Sequence, residues 1–260
     1  MFELDFSGFD INGKTLALAV SGGRDSMSLL HKFIQIFGGK DLCGGLKGFF
    51  AVNVEHGIRG AASVADSEFV ANYTERHGVE CKVFYADVPS EVASSGETVE
   101  ECARRIRYDI FRALVEKGLC DAVVLAHNAD DQAETVFMRI LRGTGIKGLA
   151  GMCNVRDGIF LRPMLSVTRR EIDEYVEKED VPYVDDETNA DVRYMRNFLR
   201  YEVFPLIRTR YPDFEKSLLR LSATAAGAYA FAESAAPRFG RDGEGNVFLP
   251  VSALSSANIT

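Results

Sequence analysis

Four short apolar runs, separated by helix-length amphipathic segments, limit the folds that this 260-residue chain can adopt. The runs are TLALAV at 15–20, GFFAVNV at 48–54, CKVFY at 81–85 and DAVVLA at 121–126. Strands that alternate with helices form right-handed βαβ units, so we predict an α/β fold with a doubly wound, mostly parallel sheet. In such sheets ligands bind outside the carboxyl ends of the strands, and the residues that follow each run are therefore candidate functional residues.

The first run leads into a Gly-rich loop and then into a helical pattern. The loop consists of Ser21, Gly22, Gly23, Arg24, Asp25 and Ser26. Such a loop is typical of phosphate sites, because glycines let the backbone approach an anion and the first-turn amides of the helix point at it. Asp25 would repel a phosphate unless a cation lies between them, which favours Mg²⁺ as a third component. The loop lacks the lysine of a Walker A motif, and the G-x-G-x-x-G pattern at Gly143 follows a helical segment, so neither alternative fits.

Polar residues also follow the second and fourth runs, beginning with His56 and with the segment HNADDQAET, respectively. In a helix, His127, Glu134 and one of the two aspartates Asp130 and Asp131 would share a face. Carboxylates that crowd beside a phosphate loop favour a bound cation, either Mg²⁺ or a substrate ammonium group. An acidic first turn that suits the helix dipole would give the same pattern without a ligand.

The segment TVEECARRIRYDIFRALVEKG predicts a long helix. It begins with the capping-box pattern Thr98-x-x-Glu101 and stops at Gly118. Its predicted apolar stripe consists of Val99, Cys102, Ile106, Ile110 and Ala113. Arg104 and Arg107 share another face and could hold phosphates or a nucleotide base, although a solvated ion-pair face has the same pattern.

The composition favours a globular protein that is not embedded in a membrane. Apolar residues make up 47% and charged residues 26% of the chain, and no apolar stretch approaches the roughly 20 residues of a membrane span. The N-terminus lacks the basic and apolar parts of a secretory signal. The five cysteines form no C-x-x-C pair. We therefore expect a cytoplasmic protein with reduced thiols. The net charge of −8 argues against a general nucleic-acid binder, but arginine clusters at 104–112, 139–147 and 193–200 leave local RNA contacts open.

Five separated motifs resemble the tRNA(Ile)-lysidine synthetase family of PP-loop ATP pyrophosphatases. They are SGGRDS, VEHGIRG, ETVEECARRIRY, AHNADDQAETVFMRILRGTGIKGLAGM, and LRPML followed by VPYVDDETNADVRYMRNFLRYEVFP. The SGGxDS form marks only the superfamily, whose members cleave ATP between the α- and β-phosphates. The combination of motifs, in order from about residue 15 to about residue 210, is specific for the family.

The resemblance implies a two-step reaction. ATP would adenylate O2 of the wobble cytidine of an isoleucine tRNA with a CAU anticodon and release pyrophosphate. The ε-amine of lysine would then attack C2 and displace AMP, which gives lysidine. ATP and Mg²⁺ would be the cofactors, the tRNA and L-lysine the substrates, and a homodimer a candidate assembly. A flipped-out base is the expected target for chemistry on a base ring.

The resemblance also implies roles for single residues. Asp25 would lie at the reacting phosphates, Arg104 would balance the charge of the leaving group, and Asp130 and Asp131 would hold the metal or the lysine. His56 would bind ATP together with the Gly-rich loop. The substrate-binding residues would be Arg107, His127, Glu134, Asn189, Arg193, Arg196, Asn197 and Arg200.

The chain departs from the family pattern at two points. Family members commonly have a second histidine where this chain has Asn128, and asparagine cannot act as a general base there. After Pro212, an Ala-rich helical stretch and the strand-like VFLPV lead to an end that reads as the middle of a second domain. We therefore expect a catalytic domain over 1–212. Residues 213–260 would form a helical linker and the start of a tRNA-binding domain. Because that second domain would be truncated, we expect this chain to bind tRNA weakly.

Three alternatives remain at this stage. A PP-loop 2-thiocytidine or 2-thiouridine synthase would need sulfur-handling cysteines, which the chain does not place beside the loop. A PP-loop ligase for small molecules, of the NAD or GMP synthetase type, would not need the Arg-rich block at 193–200. A nucleotide-binding module without catalysis would show no exchange between ATP and pyrophosphate.

Overall fold

The computed structural model describes residues 2–38, 45–58, 60–185 and 192–235, and the short strands at 240–241 and 247–248. The strands are β1 (Thr15–Ala19), β2 (Gly48–Glu55), β3 (Cys81–Tyr85), β4 (Ala122–Val124), β5 (Val155–Arg156), β6 (Phe160–Leu161), β7 (Gly240–Arg241) and β8 (Val247–Phe248). The helices are α1 (Arg24–Phe37), α2 (Ala61–Arg76), α3 (Val88–Ser95), α4 (Val99–Glu116), α5 (Ala129–Leu141), α6 (Ile146–Leu149), α7 (Arg169–Glu179), α8 (Met195–Phe198), α9 (Phe204–Arg208) and α10 (Phe214–Ala235). A π-helical turn at Leu199–Val203 joins α8 to α9.

The main sheet has the strand order β3-β2-β1-β4-β6-β5, and only the short strand β5 pairs in an antiparallel manner. The four predicted strands and the mostly parallel, doubly wound fold are therefore confirmed. From β1 the chain crosses to β2 on one side and later returns to β4 on the other. The loops that follow β1 and β4 consequently emerge side by side, at the point where ligands bind in sheets of this kind.

Helices cover both faces of the sheet, which explains why its central strands are apolar on both sides. Leu16 and Leu18 of β1 pack in one core cluster with residues of α1 and α7, such as Phe33 and Ile172. Ala17 points to the opposite face and packs in a second cluster with residues of α4. This alternation fixes the register of β1, and hence the position at which the Gly-rich loop begins.

Helix α4 begins and ends where the sequence predicts, but its buried face differs from the predicted apolar stripe. Thr98 and Glu101 form a reciprocal capping box, and Gly118 adopts a φ of +67° just beyond the end. The buried residues of α4 are Cys102, Tyr108, Phe111 and Leu114, whereas Val99 is 38% exposed. The predicted stripe is therefore wrong in part, because the large aromatic side chains, rather than the smaller aliphatic ones, face the sheet.

The chain divides into two compact units. Met1–Gln132 and Cys153–Leu206 form the first, and Ala133–Met152 and Ile207–Thr260 form the second. Within the second unit, Ser222 Oγ on α10 donates a hydrogen bond to the carbonyl of Ala150 at 2.8 Å. The expected boundary after residue 212, between a catalytic domain and a helical linker with the start of a tRNA-binding domain, stays a prediction. Among the described helices, none combines the length and the apolar character that crossing a membrane requires.

Candidate active site

The Gly-rich loop between β1 and α1 has the backbone conformation of an anion site. Gly22 has a φ of +91°, a backbone conformation that residues other than glycine rarely adopt. Gly23 is the N-cap of α1 and brings no side-chain cap. The first-turn N–H groups of α1 are therefore available to phosphate oxygens. Ser26 Oγ donates to the Gly23 carbonyl at 2.9 Å and accepts from the Ser21 N–H at 3.1 Å, which closes the loop.

A buried polar pair supports the loop from the neighbouring strand. Asn53, on β2, is 3% exposed, and its Nδ2 donates to the carbonyl of Val20 at 2.8 Å. Ser67 Oγ on α2 donates in turn to Asn53 Oδ1 at 2.7 Å. These bonds satisfy buried groups that would otherwise be costly, and they fix the peptide that precedes Ser21.

Asp25 contacts the starts of both α5 and α7. Its Oδ2 accepts a bond from Arg169 Nη2 at 2.9 Å and from Asn128 Nδ2 at 3.2 Å. Its Oδ1 is buried and has no hydrogen-bond partner among the described residues. One carboxylate oxygen is thus held by the protein, and the other is left for a ligand.

The predicted acidic pair lies at the same place. Asp131 Oδ1 faces Arg200 Nη2 at 3.4 Å, and its Oδ2 accepts from the Asn128 N–H at 3.1 Å. Asp130 Oδ2 accepts from the N–H of Arg169, the first residue of α7, at 2.7 Å. Asp130 therefore stabilises the N-terminus of a helix far along the chain, in addition to any role toward a ligand.

The environment of Asp25 opposes its ionisation. Burial raises the pKa of Asp25 to about 6, and the negative charge of Asp131 adds to this rise. The guanidinium groups of Arg169, Arg200 and Arg24 act in the opposite direction but do not cancel it. A carboxyl group of this kind is stabilised in its charged form by a bound cation or hydrogen-bond donor.

The contacts of the aspartates with arginines bear on whether this site requires a bound Mg²⁺ ion. Arg169 and Arg200 already balance part of the carboxylate charge, so repulsion among the acids does not by itself require a metal. Across the described residues, no three His, Cys, Asp or Glu side chains form a ready-made metal cage. Mg²⁺ in phosphate sites commonly uses one or two carboxylates together with phosphate oxygens. The open oxygen of Asp25, with Asp131 nearby, fits that requirement.

A second cluster, centred on His127, is cationic. Burial lowers the pKa of His127 to about 3, and the positive charges of four surrounding arginines lower it further. These arginines are Arg162, Arg196, Arg104 and Arg107. The imidazole is therefore neutral at pH 7, and the net charge around it comes from the guanidinium groups. Burial and Arg107 also lower the pKa of His56, which brings that residue to the same cluster.

Arg162 is the most deeply buried member of the cationic cluster, with 3% exposure. Its Nη1 donates to the carbonyl of Cys153 at 2.8 Å, and no carboxylate pairs with it in the described part of the chain. A buried guanidinium without a counter-ion is costly in the absence of a ligand. The cluster consequently suits an anionic or strongly electron-rich ligand, such as a phosphate or the edge of a nucleotide base.

Several residues that the sequence predicts for the site have other contacts, are exposed, or lie outside the described residues. Arg24 Nη1 pairs with Asp173 on α7 at 2.7 Å, so its guanidinium is directed to that helix. Glu134 is 1% exposed and belongs to the second unit. Arg193 is exposed, Asn197 on α8 is half-buried, and Asn189 lies outside the described residues. Their roles stay predictions.

The sequence patterns do not predict the contacts that two arginines make in the site. Arg169, which contacts Asp25 and Asp130, begins a helix whose start is marked by the capping box Thr168-x-x-Glu171. That pattern predicts the helix but not the direction of the arginine. Arg162 lies in LRPML, where nothing in the local pattern indicates that it points toward His127.

The doubly wound, mostly parallel sheet, with the Gly-rich loop and the start of α5 side by side, places the chain in the α/β class of proteins. The profile of the PP-loop domain family matches residues 6–207, and the chain belongs to this family. Similar curated proteins carry the name tRNA(Ile)-lysidine synthase. One from Thermotoga maritima is 40% identical over 212 residues, which cover 80% of this chain and 49% of the relative. One from Bacillus subtilis is 36% identical over 215 residues, covering 82% and 44%, respectively.

A relative of the same name from Chlorobaculum tepidum is 39% identical over 212 residues, which cover 81% of this chain and 62% of the relative. The chain thus spans about half the length of most of the curated relatives that it matches. Among solved structures, a U34-tRNA thiolase from Methanococcus maripaludis superposes with a TM-score of 0.66. The superposition covers 83% of this chain and 73% of the thiolase. Because the two sequences are only 18% identical, the similarity shows the fold alone.

Proposed function

We propose that this chain carries the ATP-dependent lysidine-forming site of a tRNA(Ile)-lysidine synthase. The observation that carries the proposal is the contact between the Gly-rich loop and the start of α5, where Asp25 keeps one oxygen open beside Asp131. The names of the relatives, at 35–40% identity, supply the reaction. The acceptor would be the wobble cytidine of an isoleucine tRNA with a CAU anticodon, and the nucleophile would be L-lysine.

Each cluster has a place in this reaction. The first-turn amides of α1, with Ser21 and Ser26, would bind the phosphates of ATP. The cationic cluster around His127 would stabilise negative charge that develops on the leaving pyrophosphate or on the base. Arg104 and Arg107 belong to that cluster, and Arg196 would bring the RNA-binding block to it.

The acidic side of the site would bind cations. Asp25 and Asp131 would hold Mg²⁺, which when bound would neutralise the phosphates and polarise the bond that breaks. Asp131, with Asp130 on the same helix, would orient the ammonium group of lysine. These residues would place the amine next to the activated base and so favour attack over hydrolysis.

The test is to supply ATP, Mg²⁺, L-lysine and unmodified isoleucine tRNA and to analyse the nucleosides by mass spectrometry. We expect lysidine that appears only when lysine is present, with one AMP released per modified base. Incorporation of labelled sulfur, or a product that forms without lysine, would contradict the proposal. Because the chain covers part of its relatives, the same assay with a full-length relative as positive control calibrates the yield.

Three further expectations belong to the same proposal. The four described cysteines, at 81, 102, 120 and 153, are free thiols, which is consistent with a cytoplasmic location. A homodimer stays a prediction, as does a separate tRNA-binding domain that begins after residue 212. Cell fractionation tests the location, whereas sedimentation and limited proteolysis of the purified chain test the dimer and the domain boundary.

A further inference from the structure

Asn128 is the one fully buried side-chain amide that touches both the Gly-rich loop and the acidic pair among the described residues, with 0% exposure. It occupies the N-cap position of α5, since its carbonyl accepts from the Gln132 N–H at 3.1 Å. Asn128 Oδ1 accepts from the Asp131 N–H at 3.0 Å, and the Asn128 N–H donates to Asp131 Oδ2 at 3.1 Å. The two residues thus form a reciprocal capping box at the start of the helix.

This box determines which way the amide of Asn128 faces. An asparagine side chain has one acceptor end and one donor end. Because the acceptor end is engaged by a backbone N–H, the donor end must point away from α5, and there it meets Asp25 Oδ2 at 3.2 Å. The amide cannot flip without leaving a buried N–H unsatisfied and bringing two oxygens together.

The orientation of Asp25 follows from the same contact. Asn128 and Arg169 both donate to Oδ2, so the carboxylate plane is fixed and Oδ1 is the oxygen that stays open. Either donor alone would leave the carboxylate free to rotate about its last bond. With both donors in place, the position of the open oxygen relative to Asp131 is determined by the structure of the start of α5.

We propose that Asn128 is a positioning residue, which holds Asp25 so that its open oxygen meets the cation or polar group that accompanies ATP. The assignment rests on the proposed function, because it concerns the same ATP site. It gives Asn128 a task that needs no titratable group: a neutral amide connects the loop aspartate to the helix that carries the acidic pair.

The test separates the capping role of Asn128 from its contact with Asp25. Asn128→Ser keeps an oxygen for the N-cap but removes the donor to Asp25, whereas Asn128→Ala removes both. Asn128→Asp keeps the cap and replaces the donor with a negative charge next to Asp25. Thr98→Ala, which breaks the capping box of α4, is the matched control for a lost cap alone. Urea unfolding midpoints and calorimetric titration with MgATP are measured for each variant of the 260-residue chain.

We expect Asn128→Ser to unfold close to the wild-type midpoint and to bind MgATP at least tenfold more weakly. Asn128→Asp should bind more weakly still, and Thr98→Ala should lose stability without losing affinity. Wild-type affinity in Asn128→Ser, or losses of affinity that simply follow the midpoints, would overturn the assignment. Failure of the unsubstituted chain to bind MgATP would overturn the proposed function, and the assignment with it.

Discussion

Asp25 stabilises the folded protein less at neutral pH than at acid pH. Its pKa of about 6 lies above the ordinary value of 3.8, chiefly because the carboxyl group is buried. Between these two values the folded state binds a proton that the unfolded state has lost. The contribution of Asp25 to stability is therefore full at acid pH and is lost as the pH rises through about 6.

Asp25→Asn removes this dependence, because the amide does not titrate. Relative to this variant, wild type should gain about 2 kcal/mol in the free energy of unfolding between pH 7 and pH 4.5. Urea unfolding of both proteins at the two pH values, without ATP or Mg²⁺, gives the difference. The depressed pKa of His127 acts in the opposite direction, but it cancels in the comparison because both proteins retain that residue. A difference that is constant with pH would contradict the raised pKa.

At the scale of elements, helices α4 and α7 begin with the same kind of capping box, but the first residues of the two helices have different contacts. Thr98 with Glu101 caps α4, and Thr168 with Glu171 caps α7 by the same reciprocal bonds. The first residue of α7 is Arg169, which contacts Asp25 and Asp130, whereas the first residue of α4 is the exposed Val99.

We therefore predict different functional effects from the same substitution. Thr98→Ala and Thr168→Ala should each cost about 1 kcal/mol in the free energy of unfolding, since each removes one N-cap. Only Thr168→Ala should weaken MgATP binding, about three- to tenfold, because fraying of α7 moves the guanidinium that fixes Asp25. Denaturation and calorimetric titration measure the two quantities. Equal losses of affinity in both variants would show that the first turn of α7 has no special role.

Strong local patterns made most elements predictable. The strands β1 to β4 lie in distinct apolar runs, and the cap of α4 has its own residue signature. The two-residue strands β5 and β6 have no such pattern, because β6 depends on the edge that β4 offers it and β5 pairs only with β6. The buried face of α4 is likewise decided by tertiary packing, which favours the aromatic residues Tyr108 and Phe111 over Ile106 and Ile110.

For the whole molecule, charge is unevenly distributed, and this bears on RNA binding. The net charge is −8, yet arginines gather in the cationic cluster and in the block that contains Arg193, Arg196 and Arg200. Binding of tRNA should therefore depend on local contacts and weaken strongly as salt rises.

Arg193→Ala tests this view of the surface. Arg193 is exposed, so we predict weaker tRNA binding and a slope of log affinity against log salt that is smaller by about one. Arg76→Ala, at the exposed end of α2, is the control and should leave the slope unchanged. Filter binding between about 50 and 200 mM salt gives both slopes. An unchanged slope in Arg193→Ala would remove that residue from the RNA surface.

The site as a whole was less predictable than the sheet. Motifs that follow β1 and β4 place Asp25 and the acidic pair at one edge, because parallel strands bring their carboxyl ends together. The partners of Asp25 come instead from a distant helix start, and a contact between Arg169 and Asp25 leaves no periodic trace in the sequence. The bound cation favoured by the sequence stays a prediction, and the structure adds what the sequence did not indicate: Arg169 and Arg200, from distant parts of the chain, balance part of the carboxylate charge.

One backbone hydrogen bond links the Gly-rich loop to a stretch much later in the chain. The N–H of Val184, five residues beyond the end of α7, donates to the carbonyl of Gly22 at 2.9 Å. The loop cannot shift without breaking this bond or pulling Val184 along. A displacement of the loop by nucleotide phosphates would therefore be felt at Val184, on a segment that follows α7 and lies more than 150 residues later in the sequence.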